Sequence, residues 1–226
     1  MGAPHTFLRR HGLWLAANLA AILPLLWLAW DTWQGNLTVN PIDDFTNRTG
    51  SGAIRLLLAS LAVTPVQTVT GWRKVGVIRK SLGLWAFAYA ALHFLVFVGL
   101  DYGFSLRFIL EDGLPSKPYI VVGFAALLIL LPLALTSTRG AMKRLGRNWK
   151  RLHRWVYAAG IFAVVHYIWV AKLAAGEPTL YAVILGVLLA ARLPWVRSRL
   201  SSLRRKPASA APGPPRRKPK MLPEAE

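Results

Sequence analysis

The sequence predicts an all-α protein, a six-transmembrane-helix bundle with its N- and C-termini cytoplasmic. Three observations carry that expectation. Apolar stretches of about 20 residues, the length that crosses a bilayer as helix, recur along the chain. Basic and acidic connections alternate between them. The 226 residues are 54% hydrophobic and include ten tryptophans, a composition that suits lipid better than water.

Six spans follow, at roughly 13–31, 53–69, 82–100, 118–135, 152–172 and 178–196. Basic residues precede the first, but it is long and no small-residue cleavage pattern follows, so it reads as a signal-anchor rather than a cleaved leader. The second is the weakest: Arg55 and Gln67 trim its apolar core, and Pro65 sits near its end. The spans form one membrane domain at 13–196, behind a cytoplasmic N-terminal segment at 1–12. A basic, Pro-rich cytoplasmic tail closes the chain at 197–226. Its stretch from Ser201 (SSLRRKPASAAPGPPRRKPKMLPEAE) cannot bury a core and reads as disordered.

Charge orients the bundle, because cytoplasmic loops are enriched in Lys and Arg. Arg9 and Arg10, the 73–80 and 139–154 clusters, and the basic residues from Arg192 onward fall on one side and hold 23 of the 28 basic residues. Asp31, Asp43, Asp44, Asp101, Glu111, Asp112 and Glu177, seven of the nine acidic residues, fall on the other. A net charge of +19 can mark nucleic-acid binding. Here topology accounts for it, with attraction to anionic membrane lipids, so no nucleic-acid partner is expected.

The function is read from histidines. His93, His153 and His166 lie in or at the edge of apolar segments, where an ionisable group is costly and points to function. Imidazole is a common axial ligand of haem iron. Counted along the helix at about 1.5 Å per residue, His93 sits roughly 16 Å and His166 roughly 21 Å from the inner face. Two imidazoles on different helices at similar depth can clamp one haem iron. His153 is different: it lies about 20 Å below His166 and about 140° from it in helical phase. It is a candidate ligand for a second haem, but Arg79 and Lys80 stand where a matching histidine would be, so its partner is unassigned. Gly160, between the two, suits close approach of a macrocycle or of another helix.

Plainer readings accompany these. A membrane histidine can simply hydrogen-bond a neighbouring helix. His5 and His11 lie among basic residues before the first span and read as solvated or interfacial. Trp27, Trp30, Trp33, Trp149, Trp169 and Trp195 read as interfacial belt residues. Arg55 could neutralise a haem propionate or snorkel to the interface.

The chain has no cysteine, which excludes haem attachment through C-x-x-C-H, cysteine-ligated iron–sulfur clusters and thiol–disulfide relays. No G-x-G-x-x-G follows a strand, and about 30 residues trail the last span, too few for a Rossmann unit. Electrons would therefore come from membrane quinol or a separate flavin reductase. The rival classes are a transporter relaying protons through its histidines and a haem-free membrane scaffold. Against the first, the spans are read as carrying no buried Asp or Glu, and no internal repeat is apparent.

Several stretches carry a family resemblance: NPIDDFTNRTG (40–50), LAVTPVQTVTG (61–71), RKSLGLWAFAYAALHF (79–94), KPYIVVG (117–123), LALTSTRGAMKRLGRNWKRLHRWVY (133–157) and HYIWVAK (166–172). Together they resemble the MsrQ (YedZ) family of haem-binding membrane subunits, within the ferric reductase-like transmembrane family, over about residues 10–196. The resemblance implies haem b (one, or two) bound through His93, His153 and His166. It also implies FMN, for which the sequence shows no motif, and a bacterial inner-membrane location. Its expected partner is a periplasmic molybdopterin enzyme, MsrP, that reduces methionine sulfoxide in damaged envelope proteins. A stand-alone ferric or cytochrome b561-like reductase is the other electron-transfer reading.

Overall fold

The computed structural model describes residues 4–171 and 176–202, and every regular element among them is helical. Helix α1 runs Pro4–Gln34, starting well before the apolar stretch, with proline in its first turn. It stops at Gly35, whose φ of 68° suits glycine.

Helix α2, Pro41–Thr70, begins some twelve residues ahead of the expected span. Its start is polar, so hydropathy misses it, but it is well capped. The Asn40 side chain accepts the Asp43 N–H, Pro41 opens the first turn, and Asp43 and Asp44 face the helix dipole. Arg48 pairs with Asp31 at the end of α1 and with Asp44, so much of the stretch between the first two expected spans is helix pinned to its neighbour. Gly71 ends α2 in the left-handed region, its N–H donating to the Gln67 carbonyl.

Helix α3, Gly76–Val96, follows a 3₁₀ turn at Arg73–Val75 and continues as a π-helical turn, Phe97–Asp101. Short helical pieces over 106–116 then meet α4, Tyr119–Leu135, at 115°. On the basic side lie α5 (Arg139–Leu145, capped by the Thr138 hydroxyl) and α6 (Arg147–Leu152). Helix α7 spans Val156–Val170 and α8 spans Glu177–Ala190. Between Ala190 and Pro194 the chain turns by 85° into α9, Pro194–Ser202. The first residues of the expected disordered tail are thus helical, and its part from 203 onward lies outside the described residues.

Among the described residues, three stretches, 11–34, 41–70 and 73–101, are long and apolar enough to cross a membrane, and two bent pairs would raise the number to five. The expected fifth span is shorter in the structure, since α7 has 15 residues.

Helix α2 packs on α3, α4 packs on α7, and the two pairs meet at Leu57, Ala86, Leu130 and Ala159. A second core of Ile54, Leu58, Leu61, Val164, Tyr181, Leu185 and Leu188 seats α8 against α2 and α7. Lipid gives no hydrophobic drive between helices, so close backbone approach must supply the packing. Ala86 and Ala159 are fully buried, and a Cβ on Gly52 would lie 2.3 Å from the Tyr89 ring. Gly160 is packed the same way against Leu185 and Leu61, so of its two expected roles the structure shows helix contact. Outward, Leu19, Leu23, Trp27, Val183 and Val187 are exposed, as lipid-facing side chains are.

Candidate functional site

Between α2, α3, α4 and α7 lies a cavity of about 420 Å³, within the size range of cofactor pockets. His93 from α3 and His166 from α7 both line it, with ring centres 6.2 Å apart and planes at 78°. The rest of the wall is largely apolar, including Leu57, Leu130, Phe94 and Phe124, the last two stacked on each other.

Each imidazole is tied down in the same way. The His93 Nδ1 lies 3.0 Å from the Thr46 carbonyl oxygen, and the His166 Nδ1 lies 2.8 Å from that of Tyr119. A carbonyl only accepts, so both rings carry their proton on Nδ1 and keep the Nε2 lone pair for a metal. Glycines lie against both rings. A Cβ on Gly50 would come 3.1 Å from His93, and one on Gly123 would come 2.8 Å from the His166 Nδ1.

The two half-sites repeat. Thr46, Gly50 and His93 each precede their counterparts Tyr119, Gly123 and His166 by 73 residues, and both histidines follow their carbonyl partners by 47. The same offset pairs Ala53 with Ala126, Leu57 with Leu130, Ala86 with Ala159 and Ala90 with Ala163. All of these line the cavity except Ala159, which is buried beside it. Helices α2 and α4 both start at the acidic connections, so the two hairpins run in parallel. The expectation of no internal repeat is therefore corrected. Identity survives where the two hairpins face each other, while lipid-facing positions accept any apolar residue and hide the repeat.

His153 stands apart from the cavity. It stacks on Trp149 with ring centres 3.9 Å apart, its Nδ1 lies 3.1 Å from the Trp149 carbonyl, and its Nε2 lies 3.4 Å from the Ser137 hydroxyl. At the repeat offset its counterpart is Lys80. Trp149 thus touches an expected site histidine, rather than standing only in an interfacial belt. Arg55 does not line the cavity either: its guanidinium donates to the Tyr181 hydroxyl at 2.7 Å and pairs with Glu177. His5 is not described at side-chain level, and His11 lies on α1 away from the cavity lining.

The donor set fits a particular kind of metal group. Imidazole–metal bonds are about 2 Å, so axial imidazoles on opposite sides of one metal have near nitrogens about 4 Å apart and ring centres about 6 Å apart. That matches the observed separation. Among the described residues, no group of three or more His, Cys, Asp or Glu side chains could hold a bare ion. Two axial nitrogens suit a metal whose equatorial ligands come from a macrocycle.

A family model described as a ferric reductase like transmembrane component matches residues 49–164, which include Gly50, His93, Gly123 and His153. The protein-methionine-sulfoxide reductase heme-binding subunit MsrQ of Xanthomonas euvesicatoria pv. vesicatoria is 45% identical over 203 residues, 87% of this chain and 92% of that one. The protein of the same name from Rhodospirillum rubrum is 46% identical over 189 residues, 83% of this chain and 90% of that one.

Proposed function

The chain belongs to the MsrQ family of multi-pass membrane subunits within the ferric reductase-like transmembrane proteins, and from that premise we propose that it is a b-type cytochrome conducting electrons across the bacterial inner membrane. Haem b is held between His93 and His166. The donor at the basic, cytoplasmic end is quinol or a soluble flavin reductase. The acceptor at the acidic, periplasmic end is a molybdopterin methionine sulfoxide reductase of the MsrP kind, which repairs oxidised envelope proteins. Six spans, the sixth bent at Pro194, and cytoplasmic termini complete this reading. The observation that carries it is the His93–His166 pair, set at an axial-ligand separation in the cavity between two repeated hairpins.

Haem, when bound, supplies a one-electron couple. The residues of this chain prepare its site. The Thr46 and Tyr119 carbonyls fix the tautomer and orientation of the two rings and raise their basicity. Gly50 and Gly123 leave room for the rings to stand against α2 and α4. The apolar wall excludes water, so a change of metal charge meets a low-dielectric surround. The His153–Trp149 stack lies at the basic end, apart from the cavity, and His153 there is the candidate ligand of a second haem.

A dithionite-reduced minus oxidised spectrum of the detergent-purified protein, with a pyridine haemochromogen assay, tests the reading. A sharp b-type α-band with near one haem per chain is expected. A chain without a Soret band, when made with ample haem, would leave the cavity without its proposed occupant.

A further inference from the structure

We propose that Lys117 receives a carboxylate of the bound porphyrin, so that the propionate edge of the haem faces the acidic end of the bundle; this rests on the haem reading above. The repeat makes the question sharp. Two parallel hairpins present matching carbonyls, glycines and histidines. Because the hairpins run in parallel, the repeat relates the two faces of a macrocycle and not its acidic-end and basic-end edges. The chemistry at each end of the cavity must decide which edge carries the carboxylates.

The mouth of the cavity at the acidic end does so. Asp43, Asp101 and Lys117 are the Asp, Glu, Lys or Arg residues among its lining, and Lys117 is the cation. Both carboxylates are exposed, whereas Lys117 is half-buried. Lys117 lies two residues before Tyr119, whose carbonyl anchors His166, so its ammonium starts within a turn of that ligand. It sits 5.5 Å over the Tyr102 ring, in reach of the Tyr102 hydroxyl and attracted by Asp101, but no carboxylate comes within 4 Å of it among the described side chains. A half-buried ammonium held on an aromatic face beside a cofactor cavity favours an anion.

The repeat offset places Asp44 opposite Lys117, and Asp44 is already engaged by the Thr38 N–H at 2.7 Å and by Arg48. The equivalent positions at the two hairpin entrances are therefore opposite in charge. Arg55, the other candidate for a propionate, is taken up by Tyr181 and Glu177 away from the cavity. The deep end of the cavity, at Leu57, Ala86 and Leu130, offers a carboxylate nothing but hydrocarbon.

The test uses full-length chain stripped of haem and reloaded with iron protoporphyrin IX or with its dimethyl ester, in the wild type, Lys117→Gln and Lys117→Arg. A charge-assisted contact predicts that the wild type and K117R bind the ester about tenfold more weakly than the free acid. K117Q should lose that discrimination while its α-band stays six-coordinate. The haem midpoint potential should also fall in K117Q and hold in K117R, because removing a nearby positive charge favours the ferric form. Equal discrimination in K117Q and wild type would overturn the proposal, and so would a wild type indifferent to esterification. The wild-type comparison decides even if K117Q does not fold. Failure of the wild type to take up either porphyrin would instead overturn the haem reading itself.

Discussion

The rings of His93 and His166 stand 6.2 Å apart, and each is held at Nδ1 by a backbone carbonyl 47 residues earlier in the chain. Neither ring is positioned by a side chain that could rotate away. Each is clamped to the polar backbone of the neighbouring helix, so the pair inherits the rigidity of α2–α3 and α4–α7 packing. That is what an axial pair requires, since a free imidazole loses rotamer entropy on ligation.

If that pair holds haem, His93→Ala and His166→Ala each lose most of it, by roughly tenfold or more in haem per chain. Far-UV circular dichroism should remain helical, because neither ring belongs to the buried cores. A variant keeping full six-coordinate haem by its visible spectrum would remove that histidine from the ligand set.

Gly123→Ala and Gly50→Ala separate positioning from packing. A Cβ at 123 would sit 2.8 Å from the His166 ring and one at 50 would sit 3.1 Å from His93, so both substitutions displace an imidazole, the former more. Overpacking costs about 1–3 kcal/mol, and here the ring is what must yield. Haem occupancy should fall in the order wild type, G50A, G123A. Gly52→Ala meets the buried Tyr89 ring at 2.3 Å, outside the cavity lining. It should lower the thermal unfolding midpoint of the apo chain more than either of the others. An inverted order in the haem assay would make the glycines ordinary packing residues.

His153→Gln is expected to leave the α-band of the cavity haem in place. Its ring is engaged by Trp149 and Ser137, and the repeat supplies Lys80 rather than a second imidazole at that level. Haem per chain should stay within the error of wild type. Loss of half of a two-haem complement would instead make His153 a ligand.

Much of this was legible in the sequence, and the reasons for the rest are physical. The all-helical class, the apolar stretches and the pairing of His93 with His166 by depth follow from hydropathy and helix rise alone. The start of α2 escaped because Asp43, Asp44, Asn47 and Arg48 are polar, although Asn40-Pro41 followed by two acids is a sound helix start. The anchors of the histidines escaped for a different reason. Thr46 and Tyr119 act through backbone carbonyls, which any residue has, and only the constant spacing of Gly50 to His93 and Gly123 to His166 betrays them. Arg55 was legible as unusual, but its partners Tyr181 and Glu177 are more than 120 residues away.

The link between α1 and α2 carries a pH dependence whose sign is fixed by Asp44. The Thr38 backbone N–H, 2.7 Å from the carboxylate, and the Arg48 guanidinium beside it hold this carboxyl below its ordinary value. Of the neighbouring carboxylates, Asp43 accepts from Asn40, and Asp31 shares Arg48 with Asp44. A depressed folded-state value means the contact is fully present above the ordinary carboxylate range, near pH 4, and is lost only as pH falls through the lowered value. Hydrogen exchange at the Thr38 amide, normalised for intrinsic rate, should therefore show constant protection from about pH 7 to about pH 5 and a drop below about pH 4. Asp44→Asn should lower protection across the whole range and flatten its pH dependence. Protection that already declined between about pH 6 and 5 would mean the carboxyl is not held down, and another group would have to organise the turn.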